Sequence, residues 1–129
     1  MNFDRTGIIL YVLKYDECID FYKNTLELKV HFFTDMLTCF EFGNSYLMVE
    51  VDDEMQHEPN GKRIRTCLRM NVPNVKMLAD KLTAKNIDVN YQEHSWGIIA
   101  KFFDPDGNLC AFKDNKTFEK QLIKFIFVS

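Results

Sequence analysis

FFDPDGNLCAF, residues Phe102 to Phe112, reads as two short strands around a tight turn. Pro105 presets φ for the second position of a β-turn, and Gly107 suits its end. The turn alone says only hairpin. The second strand says more, because it closes in Cys110-Ala111-Phe112. Ala111 offers neither a metal donor nor a proton to move. The segments before the hairpin show what kind of fold this strand completes.

Reading back from the hairpin, Ile87 to Gln92 and Gly97 to Phe103 are strands, and Leu109 to Lys113 follows the turn. A helix precedes them, capped by Asn74, with Val75, Leu78 and Leu82 on one face. Arg65 to Val72 is the strand before it. The first half repeats this order. Thr6 to Leu13 is an apolar, β-branched strand. Asp16 caps a helix in which Ile19, Tyr22 and Leu26 recur at helical spacing, with Phe21 beside them. Leu28 to Phe33, Leu37 to Phe42 and Tyr46 to Val51 are strands, the last two joined by the turn Gly43-Asn44. The polar segment from Asp52 to Lys62 separates the halves, with Pro59, Asn60 and Gly61 near its end. A short helix from Thr117 and the apolar run Phe125 to Val128 close the chain.

The halves superpose at an offset of about sixty residues, Val12 on Val72 and Asp16 near Asn74. The expected fold class is α+β: two βαβββ modules forming a curved, mostly antiparallel sheet around a concave trough. The organisation expected is a single domain over 1–129. Module one is about 6–51, the linker about 52–63, module two about 64–113 and the tail 114–129.

A chain of 129 residues holds one real core, and 47% apolar with 27% charged residues is a globular composition. Twelve Phe point to an aromatic core, cavity wall or subunit interface. The net charge of −3 gives no footprint for nucleic acid. Lys62, Arg63 and Arg65 follow Asp52, Asp53, Glu54 and Glu58, which reads as a solvated loop of mixed charge. No run has the length of a membrane-spanning helix. MNFDRTGIIL carries an acid and lacks the pattern of a signal peptide. Cys18, Cys39, Cys67 and Cys110 are widely spread with no CxxC pair. Thiols in a reducing cytoplasm are expected.

Three stretches carry a family resemblance: VLKYDECIDFYKNTLEL after the first strand, VPNVKMLADKLTAKNIDV after the restart, and WGIIAKFFDPDGNLCAF at the end. They resemble the glyoxalase/bleomycin resistance/extradiol dioxygenase (vicinal oxygen chelate) superfamily over about residues 6 to 113. The FY of the first helix and the DPDGN turn are the most specific parts. The resemblance implies a fold of paired βαβββ modules, the arrangement that the repeat suggests on its own.

Metal-dependent members of that family place one ligand on the first and one on the last strand of each module. Carried onto this chain, the four positions are Gly7, Glu50, Cys67 and Ala111. The spacings agree, with 43 residues from Gly7 to Glu50 and 44 from Cys67 to Ala111. Two positions lack a ligand side chain, and a divalent ion at a catalytic site takes at least three protein ligands. No metal and no cofactor are therefore expected.

Strand alternation places Ile9 and Tyr11, Tyr46 and Met48, Arg65 and Arg69, and Leu109 and Lys113 on the same face as these four positions. The opposite face is apolar: Ile8, Leu10 and Val12, Leu47 and Val49, Leu68, Met70 and Val72. It belongs under the helices. The residues expected to contact a ligand are Tyr11, Tyr46, Met48, Glu50, Cys67, Arg69, Trp96 and Ala111. Arg69 has two readings, as the partner of an anionic ligand group or as the ion-pair partner of Glu50. Trp96 is a lid or stacking wall, or a plain core residue. Cys67 beside Arg65 and Arg69 has the surroundings of a nucleophile, but no His is placed as its base. An inert thiol is favoured.

What the resemblance then implies is a metal-independent protein that binds a small organic molecule, sequestering a drug-like or metabolite ligand, as a homodimer in the cytoplasm. The alternative is a lyase, isomerase or dioxygenase-type enzyme, with Glu50 as base or as ligand to a recruited metal. A third reading is a structural dimer whose trough is filled by its own side chains.

Overall fold

The structure is a computed structural model. It describes residues 1–52 and 61–128, with side chains through residue 124. Among the described residues, eight strands and three α-helices make an α+β fold with mixed strand pairing. The elements are β1 (Arg5–Val12), α1 (Tyr15–Asp20), β2 (Val30–Phe33), β3 (Leu37–Phe42), β4 (Ser45–Val51), β5 (Thr66–Val72), α2 (Val75–Thr83), β6 (Asn90–His94), β7 (Gly97–Phe103), β8 (Leu109–Asp114) and α3 (Asn115–Val128). Among the described residues no helix is long and apolar enough to cross a membrane. The chain divides into two compact units, Gly7–Cys67 and Met1–Thr6 with Leu68–Ser129.

In the unit Gly7–Cys67 the strands lie in the order β2-β3-β4-β1. β1 runs parallel to β4, and β3 is antiparallel to both β2 and β4. The alternation in sequence works as read. Ile8, Leu10 and Val12 pack with Leu47 and Val49 against Tyr15, Ile19 and Tyr22 of the helical segment. Two expectations change here. Asp16 does not cap α1, because the N-cap is Lys14 and no side chain bonds there. Asp16 instead sits in the first turn, where its charge suits the helix dipole. The helical segment also does not continue as an α-helix. Phe21–Thr25 is a π-turn, closed by a bond from Leu26 N to Phe21 O at 2.9 Å. The wider turn rotates Leu26 away from the Ile19–Tyr22 face, and Leu26 is exposed.

The segment after β4 also departs from expectation. Asp52, whose side chain is buried, pairs with Arg63, and Arg63 Nη2 donates to the Tyr11 carbonyl at 2.8 Å. Arg63 is thus tied to β1 and is not part of a solvated loop. Asp53, Glu54 and Glu58 lie outside the described residues.

In the other unit the order is β5-β8-β7-β6. Asp4 N donates to the Asn71 carbonyl at 2.8 Å, joining the N-terminal residues to β5. Asn74 caps α2 as read, accepting from Met77 N at 3.0 Å. Val72, Val75, Leu78, Ala79, Leu82, Ala100 and Phe112 form the core, with Met70, Ile98 and Phe102 against it. β6 begins later than the sequence suggests. Ile87 N bonds back to Leu82 O at 3.1 Å and Asn86 takes φ +64°, so these residues finish α2. The last helix is longer than read and starts at Asn115, directly after β8.

Candidate functional site

On β1 and β4 the register pairs Gly7 with Tyr46, Ile9 with Met48 and Tyr11 with Glu50. These six share the face opposite the helical segment. Gly7 is the tight point of this face. A Cβ built there would overlap the Tyr46 ring, which is fully buried. The aromatic ring fills the space into which a side chain at position 7 would project. Tyr11 and Met48 are buried on the same face, and Cys67, at the start of β5, is buried as well. Glu50 is half-buried and has a partner of its own. The four cysteines stand as thiols.

In the other unit the pairs are Ile99 with Lys113, Lys101 with Ala111 and Phe103 with Leu109. Ala111 is fully buried. The DPDGN turn is closed on itself. Asp104 Oδ1 accepts from Asp106 N and Asn108 N, both at 2.9 Å, and Oδ2 accepts from Asn108 Nδ2 at 2.8 Å. The Asn108 bonds, side chain first, hold the Asp104 carboxyl below its ordinary value. These polar groups shape the hairpin that sets the position of Ala111.

Lys113 is the unusual residue of this unit, with only 1% of its surface exposed. Its Nζ donates to the Trp96 carbonyl at 3.0 Å, Thr117 Oγ1 at 2.8 Å and Asp114 Oδ1 at 3.4 Å. It also lies 4.8 Å from the Trp96 ring centroid. Three donors thus meet three acceptors. Burial pushes the amine down, the Asp114 charge opposes this and the Arg69 charge adds to it, leaving the amine at about 8. Gly97 makes room for the group. A Cβ there would run into Lys113 Nζ, and φ of +141° is a conformation that side chains rarely adopt. Burial alone would raise the Asp114 carboxyl. Hydrogen bonds from Ile98 N at 2.7 Å and Thr117 N at 3.0 Å, with the Lys113 charge, outweigh it and lower the pKa.

Trp96 stands in the turn between β6 and β7, 46% exposed. The His94 ring stacks on it at 4.5 Å and 9°. Arg69 is half-buried, and its Nε is the one buried side-chain polar atom among the described residues with no hydrogen-bond partner. Of the eight anticipated contact residues, Glu50, Arg69 and Trp96 keep solvent access, while Tyr11, Tyr46, Met48, Cys67 and Ala111 are buried. Sequence reasoning did not single out Lys101. Its signal was the hairpin register, since counting outward from the turn pairs Lys101 with Ala111.

Gly7 and Ala111 supply no ligand atom, and the space at Gly7 holds the Tyr46 ring. Among the described residues no three His, Cys, Asp or Glu side chains group closely enough to hold an ion.

Residues 3–112 match the Glyoxalase/Bleomycin resistance protein/Dioxygenase superfamily, and the chain belongs to that superfamily. No curated protein matches it. Among solved structures it is similar to an NAD-dependent benzaldehyde dehydrogenase from Legionella pneumophila, with TM-score 0.70, 18% identity, and 84% of this chain and 97% of that chain covered. A glyoxalase/bleomycin resistance protein/dioxygenase superfamily member from Vibrio splendidus 12B01 gives TM-score 0.58 and 17% identity, covering 85% and 97%. The 2,3-dioxygenase LapB from Pseudomonas sp. KL28 gives TM-score 0.53 and 17% identity, with 85% of this chain and 39% of that chain covered. At these identities the likeness is one of fold.

Proposed function

We propose that this protein binds a small organic molecule without a metal, and sequesters that ligand rather than converting it. The observation that carries this reading is the Tyr46 ring over Gly7. It fills the space of a ligand side chain in the first unit, while Ala111 leaves the second unit one donor short. Glu50 and Cys67 remain, one hard and one soft, and two such donors fall below the three that a catalytic divalent site takes.

In this reading the protein is a cytoplasmic homodimer. Phe33, Met36, Phe21 and Leu26 are large apolar side chains exposed in the Gly7–Cys67 unit, and α3 ends in the apolar sequence Phe125-Ile126-Phe127-Val128. Native mass spectrometry of protein purified without added metal tests the proposal. The expected spectrum is a dimer mass without stoichiometric metal, which acquires a small molecule from a ligand panel. About one zinc, iron, nickel or manganese per chain would sink it.

A further inference from the structure

The face of β5, β8, β7 and β6 opposite α2 has a one-sided charge. Met70 and Val72 pack toward α2, so Arg69 and Asn71 point the other way. Ala100, Phe102 and Phe112 likewise pack with α2, which turns Lys101 and Lys113 to the Arg69 face. Asn90, Gln92 and His94 of β6 pair with Lys101, Ile99 and Gly97 and share it. Arg69, Lys101 and Lys113 thus lie on one face, and no strand residue of the unit on that face is acidic.

The nearby carboxylates are already engaged. Asp114 reaches Lys113 and also accepts from Ile98 N and Thr117. Glu119 of α3 pairs with Arg5 at 3.7 Å. Lys113 spends its donors within the protein, and Lys101 has a partner of its own. Arg69 differs. Its charge is felt at Lys113, its Nε is buried without an acceptor, and it makes no ion pair among the described residues. A buried guanidinium N–H with no acceptor is costly, and a carboxylate satisfies it with two parallel bonds.

We propose that this face is the subsite for an anionic group of the ligand, a carboxylate held by Arg69 in a field to which Lys101 and Lys113 contribute. The proposal rests on the small-molecule-binding reading and adds the chemical class of ligand.

The test is isothermal titration calorimetry of the full chain with sodium benzoate, at ionic strength fixed with sodium chloride, against benzamide, the same ring without the charge. Benzoate is expected to bind at least about tenfold more tightly than benzamide. Arg69→Gln should remove that preference, and Lys116→Gln, at an exposed position on α3, should keep it. Circular dichroism confirms that the Arg69 variant is folded, and Lys101→Gln, expected to weaken benzoate by a smaller factor, tests the same face independently. Equal binding of benzoate and benzamide overturns the anion subsite and leaves the small-molecule reading standing. An Arg69→Gln protein that keeps the preference overturns the role of Arg69. If neither probe binds, the subsite is overturned, and the wider reading fails with it only if the ligand panel gives no adduct either.

Discussion

Gly7 and Tyr46 show how one residue's size is dictated by its neighbour across a strand pair. The buried ring leaves room for a hydrogen and nothing more. Gly7→Ala is expected to destabilise the fold by about 1–3 kcal/mol, the range for overpacking a filled core. Pairing it with Tyr46→Val should cost less than the sum of the two single changes, because each relieves the other's misfit. Urea unfolding of the four proteins measures this, and simple additivity would mean that the ring does not occupy that space. Lys113 gives a second test at this scale. Its folded pKa of about 8 lies below the ordinary value of 10.5, so between these values the unfolded chain binds more protons than the folded one. The contribution of Lys113 to stability therefore rises with pH through that window, by at most about 1.4 kcal/mol per pH unit. Lys113→Met should flatten this rise in unfolding curves taken from pH 7.5 to 10.5. An unchanged slope would mean that the amine is not desolvated.

The elements were the most legible part of the sequence, because period-two alternation leaves a mark that a one-residue slip would erase. Ile8, Leu10 and Val12 on β1, and Met70 and Val72 on β5, lie on the faces read for them, whereas Leu68, read with them as lying under a helix, is exposed near the start of β5. Asn74 was equally plain, since a short acceptor side chain before an amphipathic run has one obvious use. Asn74→Ala should cost about 1 kcal/mol by loss of the bond to Met77 N. A cost within a few tenths, measured by denaturant midpoint, would mean that the cap contributes nothing. Other features left less trace. The π-turn at Phe21–Thr25 is a single inserted residue in an otherwise helical pattern, and Leu26 looked apolar enough to belong to the core face. Ile87 looked like a strand residue until its amide was seen closing α2. In both cases backbone hydrogen bonding overrode the side-chain pattern.

At the scale of the whole chain, the internal repeat made the fold class readable, and the family match over residues 3–112 agrees with it. The candidate site was only partly readable. Position-by-position comparison located Gly7 and Ala111, but not what fills the space beside them. Nothing in the sequence near Lys113 indicates that its amine lies under Gly97, because that contact depends on packing between strands. Lys101 on the same face was within reach of the hairpin register. Oligomeric state also belongs to this scale. The homodimer we propose should sediment as a dimer at micromolar concentration, and Phe33→Lys, at the exposed end of β2, should shift it toward monomer if that edge is the contact. A clean monomer for the parent protein would remove the dimer from the reading.

The Tyr46 ring has a consequence for descent. Any larger residue at position 7 collides until Tyr46 is trimmed, and trimming Tyr46 first opens a cavity at about 3–5 kcal/mol for a large aromatic. Each single step toward a side chain at position 7 is therefore uphill, and the paired change costs less than the two steps taken separately. With the ring settled over the glycine, point substitution alone offers the lineage no gentle path away from this pair.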